Sequence, residues 1–136
     1  MWDMVCVLSL SYNPKGYIMP WRHTINISWL DRKLEKSCSS DKSGQRRFGA
    51  DDWKLIKRRL ASLAAAPTLM DMDGVPGRCH PLSADRSGQF AVHVSGAYRL
   101  VFAPDHDPVP VRDDGGIDTS HVTRIVIAEV VNYHGH

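Results

Sequence analysis

The sequence has no apolar run near the ~20 residues that a membrane-spanning helix needs, so an integral helical membrane protein is excluded. Cysteine is scarce: Cys6, Cys38 and Cys79 are odd in number, far apart and never in a CxxC pair. That pattern excludes a zinc ribbon and argues against a secreted disulfide scaffold, which leaves a reducing cytoplasm as the expected location. Seven histidines are present, but none form an HxxxH or HExxH pair and the cysteines do not join them. No metal and no other cofactor is therefore expected. GxSxG is missing, and Cys79 and His80 would point to opposite faces of a strand, so a serine or cysteine nucleophile is not expected either. No internal repeat is visible. Residues 1–23 lack a basic n-region, with Asp3 standing where Lys or Arg would be, so they do not read as a signal peptide. They are treated as an N-terminal extension, with Met19 as an alternative start, and 24–136 as the domain.

What is present suffices for one domain. The 136 residues are 43% hydrophobic and 24% charged. A chain of this length buries roughly two-thirds of its unfolded surface. The net charge of +2 conceals a division: residues 31–59 carry ten basic and five acidic side chains, and residues 104–136 carry two basic and six acidic. A solvated helix face and an acidic loop would account for this. A phosphate-facing surface would too, because affinity for nucleic acid follows local basic density.

The periodicity changes along the chain. Thr24–Trp29 alternates, with Ile25, Ile27 and Trp29 on one face of a short strand. Leu30, Leu34 and Cys38 recur every four residues and predict a helix, which the weak helix formers of Ser37–Gly44 should fray or break. After Gly49, the stripe Trp53, Ile56, Leu60, Leu63 predicts an amphipathic helix that Pro67 ends. Short strands follow at Arg78–Ser83, around Phe90–Val94, at Tyr98–Phe102 and at Val122–Val131, the last apolar enough for a sheet interior. A Pro/Asp/Gly loop at 104–120 is long for a compact domain. The expected order is β-α-α-β-β-β-β, an α+β fold with two N-terminal helices on a small, mostly antiparallel sheet.

Four polar residues stand where strands should be apolar: His80, Arg99, Tyr133 and His134. Metal-free RNA cleavage needs such a set. One group takes the proton of a ribose 2′-OH, another protonates the leaving 5′-oxygen, and a fixed cation stabilises the phosphorane. Histidine suits either proton step, and nothing in the sequence assigns acid and base between His80 and His134. Arginine suits the third role through its planar fork. Tyrosine can stack on a base or hydrogen-bond the phosphate.

Four segments, Pro76–Leu82, Asp85–Phe90, Tyr98–Phe102 and Val130–His134, together with Phe48-Gly49-Ala50 and the Leu60–Leu63 helix, resemble the HigB-like killer branch of the RelE/ParE toxin superfamily. The resemblance covers about residues 24–136. It implies the toxin of a bacterial type II toxin–antitoxin pair, a ribosome-dependent mRNA endonuclease that inhibits translation. The implied partners are a HigA-like helix-turn-helix antitoxin, the ribosome and mRNA, with operator DNA reached only through the antitoxin and no membrane. His80, Arg99, Tyr133 and His134 match the family's catalytic positions. Two positions depart: Ser83 stands where relatives often carry lysine, and Asn132 where they often carry an acid. The basic side chains Arg46, Arg47, Lys54, Lys57, Arg58, Arg59, Arg78 and Arg86 are the expected contacts to RNA and the ribosome. The departures leave two other readings open: a toxin of the same fold that acts by binding a protein such as DNA gyrase, and a decayed toxin that serves as an antitoxin scaffold.

Overall fold

The computed structural model describes residues 24–132. The N-terminal extension, Tyr133 and His134 lie outside the described residues. The chain runs β1 (Asn26–Trp29), α1 (Arg32–Ser37), α2 (Asp41–Phe48), α3 (Ala50–Ala65), β2 (His80–Pro81), β3 (Phe90–His93), β4 (Tyr98–Pro104) and β5 (Arg124–Asn132), with short 3-10 turns between. The class is α+β, as the sequence predicts. The five-stranded sheet has the order β1-β5-β4-β3-β2. β1 lies parallel to β5, and every other pairing is antiparallel.

The helical region differs in detail from the expected pair of helices: it holds three. The Asp31 side chain caps α1 by accepting from the Lys33 N–H at 2.9 Å. The break falls at 38–40, inside the weak segment, but Ser40 then caps a new helix by accepting from the Ser43 N–H at 3.2 Å. Leu30 does not join the expected stripe. It precedes α1 and is 72% exposed, while Leu34 beneath it is buried. Gly49, at φ +91, ends α2 and starts α3 at once, a conformation that favours glycine. The α3 stripe is as predicted, with Trp53, Ile56 and Leu63 buried and Leu60 half-buried, and the helix stops at Ala66, which is extended before Pro67.

The helices cover one face of the sheet. Trp53, Ile56 and Leu63 join Phe90, Val92, Leu100, Phe102, Ile125 and Ile127 in a single core. Phe48 meets the edge of the Tyr98 ring at 5.5 Å and ties α2 to β4. The 104–120 loop is folded on itself by an isolated bridge between Val111 and Ile117. His106 holds it to the sheet by accepting from the Thr123 and Arg124 N–H groups at 3.0 and 3.2 Å.

One irregularity shapes the open face. Val101 pairs with Glu129 but Phe102 pairs with Ile127, so Ala128 is bulged out of the β4–β5 ladder. A regular strand would carry Glu129 on the same face as Ile127, against the helices. The bulge turns Glu129 to the open face and returns Val130 to the core side.

Candidate active site on the open face of the sheet

The cross-strand register assembles the site. His80 pairs with Ala91, Ala91 with Val101 and Val101 with Glu129, which makes one row across the open face. The neighbouring row is His93, Arg99 and Val131. His80 and Arg99 therefore share a face, with Cα positions about 12 Å apart by ideal sheet spacings. Arg99 is also the diagonal neighbour of Glu129.

His80 is exposed on the edge strand, and its Nδ1 donates to the Arg78 carbonyl at 2.7 Å. A carbonyl can only accept, so Nδ1 carries a proton, and in the neutral imidazole the lone pair is left on Nε2. Local backbone strain aims that carbonyl. Arg78 has φ +50, a left-handed value that is uncommon outside glycine, and follows Gly77 at φ +113. Arg99 is half-buried, with its Nε shielded from water. A buried guanidinium interacts more strongly with a phosphate than an exposed one, because the local dielectric is lower.

The predicted RNA-contacting cations separate into groups. Arg46 and Arg47 occupy the last turn of α2, where Arg47 donates to the Ser37 hydroxyl at 3.1 Å and lies 5.4 Å from the Phe48 ring centre. Lys54, Lys57 and Arg58 line a different groove, beside Trp53 and Leu60. Lys57 there is paired with Asp41 at 2.7 Å. Arg59 turns inward and donates through Nε to the His93 carbonyl at 2.9 Å, fastening α3 to the end of β3. Arg78 is exposed beside His80. Arg86 donates to Gln89 at 3.1 Å and to the carboxylate of Glu129.

Glu129 and His93 also lie on this face. Alternation from Ile125 and Ile127 would put Glu129 on the core face, and only the bulge moves it to the open one. His93 was legible, since it falls on the polar phase of its strand opposite Arg99. Neither of the described cysteines, Cys38 and Cys79, has the lowered pKa of a thiolate nucleophile. Burial pushes the Cys38 thiol up to about 11, against a smaller opposing effect of Arg47. Burial first, then the Asp73 charge, does the same at Cys79, also to about 11. Asp118, Ser120 and His121 are mutually bonded, but the serine and the carboxylate both meet Nδ1 of the imidazole. A relay needs the two ring nitrogens on different partners. Among the described residues, no three His, Cys, Asp or Glu side chains converge on a metal-sized site. No described helix is long and apolar enough to cross a membrane.

No protein-family model matches the chain, and no curated protein matches its sequence. Among solved structures, the chain is similar to a YoeB/ParE toxin from Agrobacterium tumefaciens, with 13% identity over 79% of this chain and 98% of that one, at a TM-score of 0.49. It is also similar to a chain of the heterotetrameric YoeB-YefM toxin-antitoxin complex from Staphylococcus aureus, with 19% identity over 81% of this chain and 97% of that one, at a TM-score of 0.47. A YoeB dimer from Staphylococcus aureus gives 19% identity over 83% and 98%, at a TM-score of 0.43.

Proposed function

We propose that this chain is a cytosolic type II toxin of the HigB-like kind, a ribosome-dependent mRNA endonuclease held in check by a HigA-like antitoxin. The observation that carries the reading is the pairing on one open sheet face of His80, its Nδ1 committed to the Arg78 carbonyl, with the half-buried Arg99. A basic histidine nitrogen and a fixed cation on a surface open to a chain-like substrate suit phosphoryl transfer.

In the proposed reaction the ribose 2′-oxygen attacks the adjacent phosphorus and gives its proton to a histidine. The bond to the 5′-oxygen breaks as that oxygen takes a proton from a second group. His80 performs one of these steps through Nε2 and His134 the other. Arg99 stabilises the charge on the non-bridging oxygens, and Tyr133 positions the substrate. The products are a 2′,3′-cyclic phosphate and a 5′-hydroxyl. The basic surface of the helices faces ribosomal RNA, and operator DNA is reached only through the antitoxin.

Inducing the protein without its antitoxin and mapping new 5′ ends of cellular mRNA tests the reading. Cleavage that survives EDTA and leaves cyclic phosphate ends is expected. Intact mRNA during growth arrest, or full cleavage by an Arg99→Ala, His134→Ala protein, would overturn it.

A further inference from the structure

Residues 72–80 lead from the 3-10 turn Leu69–Met72 to β2, and Gly74, Gly77 and Arg78 on the way all have positive φ, at +84, +113 and +50. The loop curls around a hollow of about 470 Å³. That volume falls in the range of small-ligand pockets and leaves room for one nucleoside. Hydrogen bonds hold the loop in shape. Leu69, just before it, donates to the Val122 carbonyl at 3.0 Å, and near its other end the Gly77 carbonyl accepts from the His93 N–H at 2.7 Å. Met72, Val75 and Pro76 give the hollow apolar wall, Asp73 gives it its one carboxylate, and His80 lines it too. The hollow and the candidate catalytic face therefore meet at His80. Among the described residues, no side chain is bonded to the Asp73 carboxylate, unlike those of Asp41, Asp71, Asp114 and Asp118. Its charge reaches the wall of the hollow: after burial, it is the second cause of the raised Cys79 thiol.

We propose that the 72–80 hollow is a nucleobase pocket that takes guanine, with the Asp73 carboxylate accepting from the guanine N1–H and N2–H. This rests on the endonuclease reading and specifies the base beside the bond that is cut. In the proposed reaction the phosphate lies between His80 and Arg99; its nucleotide carries a base one sugar away, and the hollow begins at His80. An ionised carboxylate is acceptor-only, with two oxygens side by side. Guanine alone of the four RNA bases offers two adjacent donors on its Watson–Crick edge. Adenine sets its N1 lone pair against one oxygen, cytosine does the same with N3, and uracil flanks a single N–H with two carbonyls. The apolar wall covers the face of the base, as recognition of unstacked RNA requires. The alternative occupant is a basic side chain of a partner protein. Arg78, exposed in the same lining, repels such a group and attracts the phosphates of RNA.

Two measurements test the pocket. The first is fluorescence anisotropy of the full chain with fluorescein-labelled 2′-O-methyl oligouridine carrying one central guanine, inosine or adenine, which cannot be cleaved through its 2′-oxygen. Guanine should bind about tenfold more tightly than adenine, near the lower end for a hydrogen bond to a charged group. Inosine, which lacks the N2 amine, should fall between. Asp73→Ala should flatten the preference. Asp73→Asn should invert it, because an amide offers one acceptor and one donor, which match adenine N6–H and N1. A purely structural role for this exposed side chain would not reverse a ratio. The second measurement maps the 5′ ends of cellular mRNA after induction. Guanine should be enriched at one fixed position beside the cut, and adenine in the Asp73→Asn protein. Equal affinities together with cuts that show no guanine preference would overturn the pocket, as would a preference that Asp73→Asn leaves unchanged. So would Asp73-dependent binding of a labelled arginine-rich peptide with the base ratio unaffected. Inverted selectivity in binding, with mRNA left intact, would keep the pocket and refute the nuclease. Cleavage indifferent both to the base and to Asp73→Asn would keep the nuclease and refute the pocket.

Discussion

Arg86 and Glu129, 43 residues apart in sequence, form an ion pair across the open face of the sheet, one from the turn after β2 and the other from the bulge in β5. Glu129 stands in the row that contains Ala91 and Val101, both fully buried although they face away from the helices. It sets a carboxylate diagonally beside Arg99, on the surface proposed to receive a phosphate.

This pair should matter more to RNA than to stability. Its side chains are 36% and 41% exposed, so the bridge contributes at most about 1 kcal/mol. Glu129→Gln removes a charge that repels phosphate and releases the Arg86 guanidinium. The variant should melt within a few degrees of the natural protein and bind single-stranded RNA several-fold more tightly at low salt. Weaker binding would mean that Glu129 positions Arg86 for the RNA rather than withholding it.

The two central side chains of the site should fail differently. His80→Ala removes the proposed proton-transfer group and should cost about 10²–10⁴ in cleavage rate. Arg99→Ala removes the proposed charge stabilisation and should cost about 10²–10³. Arg99→Lys should not restore the rate, because an ammonium lacks the planar fork. Single-turnover cleavage of ribosome-bound mRNA reads all three, and a rate for Arg99→Lys near that of the natural protein would contradict the bidentate role.

How much of this was legible depends on whether a feature is local. The α3 stripe and the β3–β4 hairpin follow from periodicity, because period alone decides which face is buried. The extra helix break is local too, but whether Ser40 ends a helix or caps the next depends on where α2 packs. Leu30 matches the four-residue spacing and is nevertheless exposed, since the chain is still leaving β1 there. Residue type alone singles out His80 and Arg99, and the register places them on one face. It does not single out Glu129, because a bulge is a mismatch between two strands and neither strand records it alone.

A pH dependence follows from Asp41. The Lys57 hydrogen bond first, then that from Trp53, holds its carboxyl below the ordinary carboxylate range. A lowered folded-state pKa stabilises the fold above the unfolded pKa, near pH 4, and that contribution is lost as pH falls through the folded value. Asp41→Asn should therefore destabilise the protein at neutral pH. The gap between its urea midpoint and that of the natural chain should narrow below about pH 4. A gap independent of pH would show that the asparagine fails for reasons of shape.

The closest test of the helical packing is Gly44, in the middle of α2. Glycine in a helix interior is worse than alanine by about 0.5–1 kcal/mol, so Gly44→Ala would ordinarily stabilise. Here Gly44 is buried, and an added Cβ would run into the indole ring of Trp53. That ring has nowhere to go: it is 3% exposed, its Nε1 is bonded to Asp41 at 2.8 Å, and the Phe48 ring stacks on it at 6.4 Å. Gly44→Ala should thus destabilise by about 1–3 kcal/mol, the usual cost of overpacking. The same substitution made in a Trp53→Ala background should reverse sign and recover the helix-propensity gain, since the obstacle is gone. Urea denaturation of the four proteins in this cycle isolates the contact. A stabilising Gly44→Ala in the natural background would mean that α2 and α3 approach less closely than the Gly44–Trp53 contact requires.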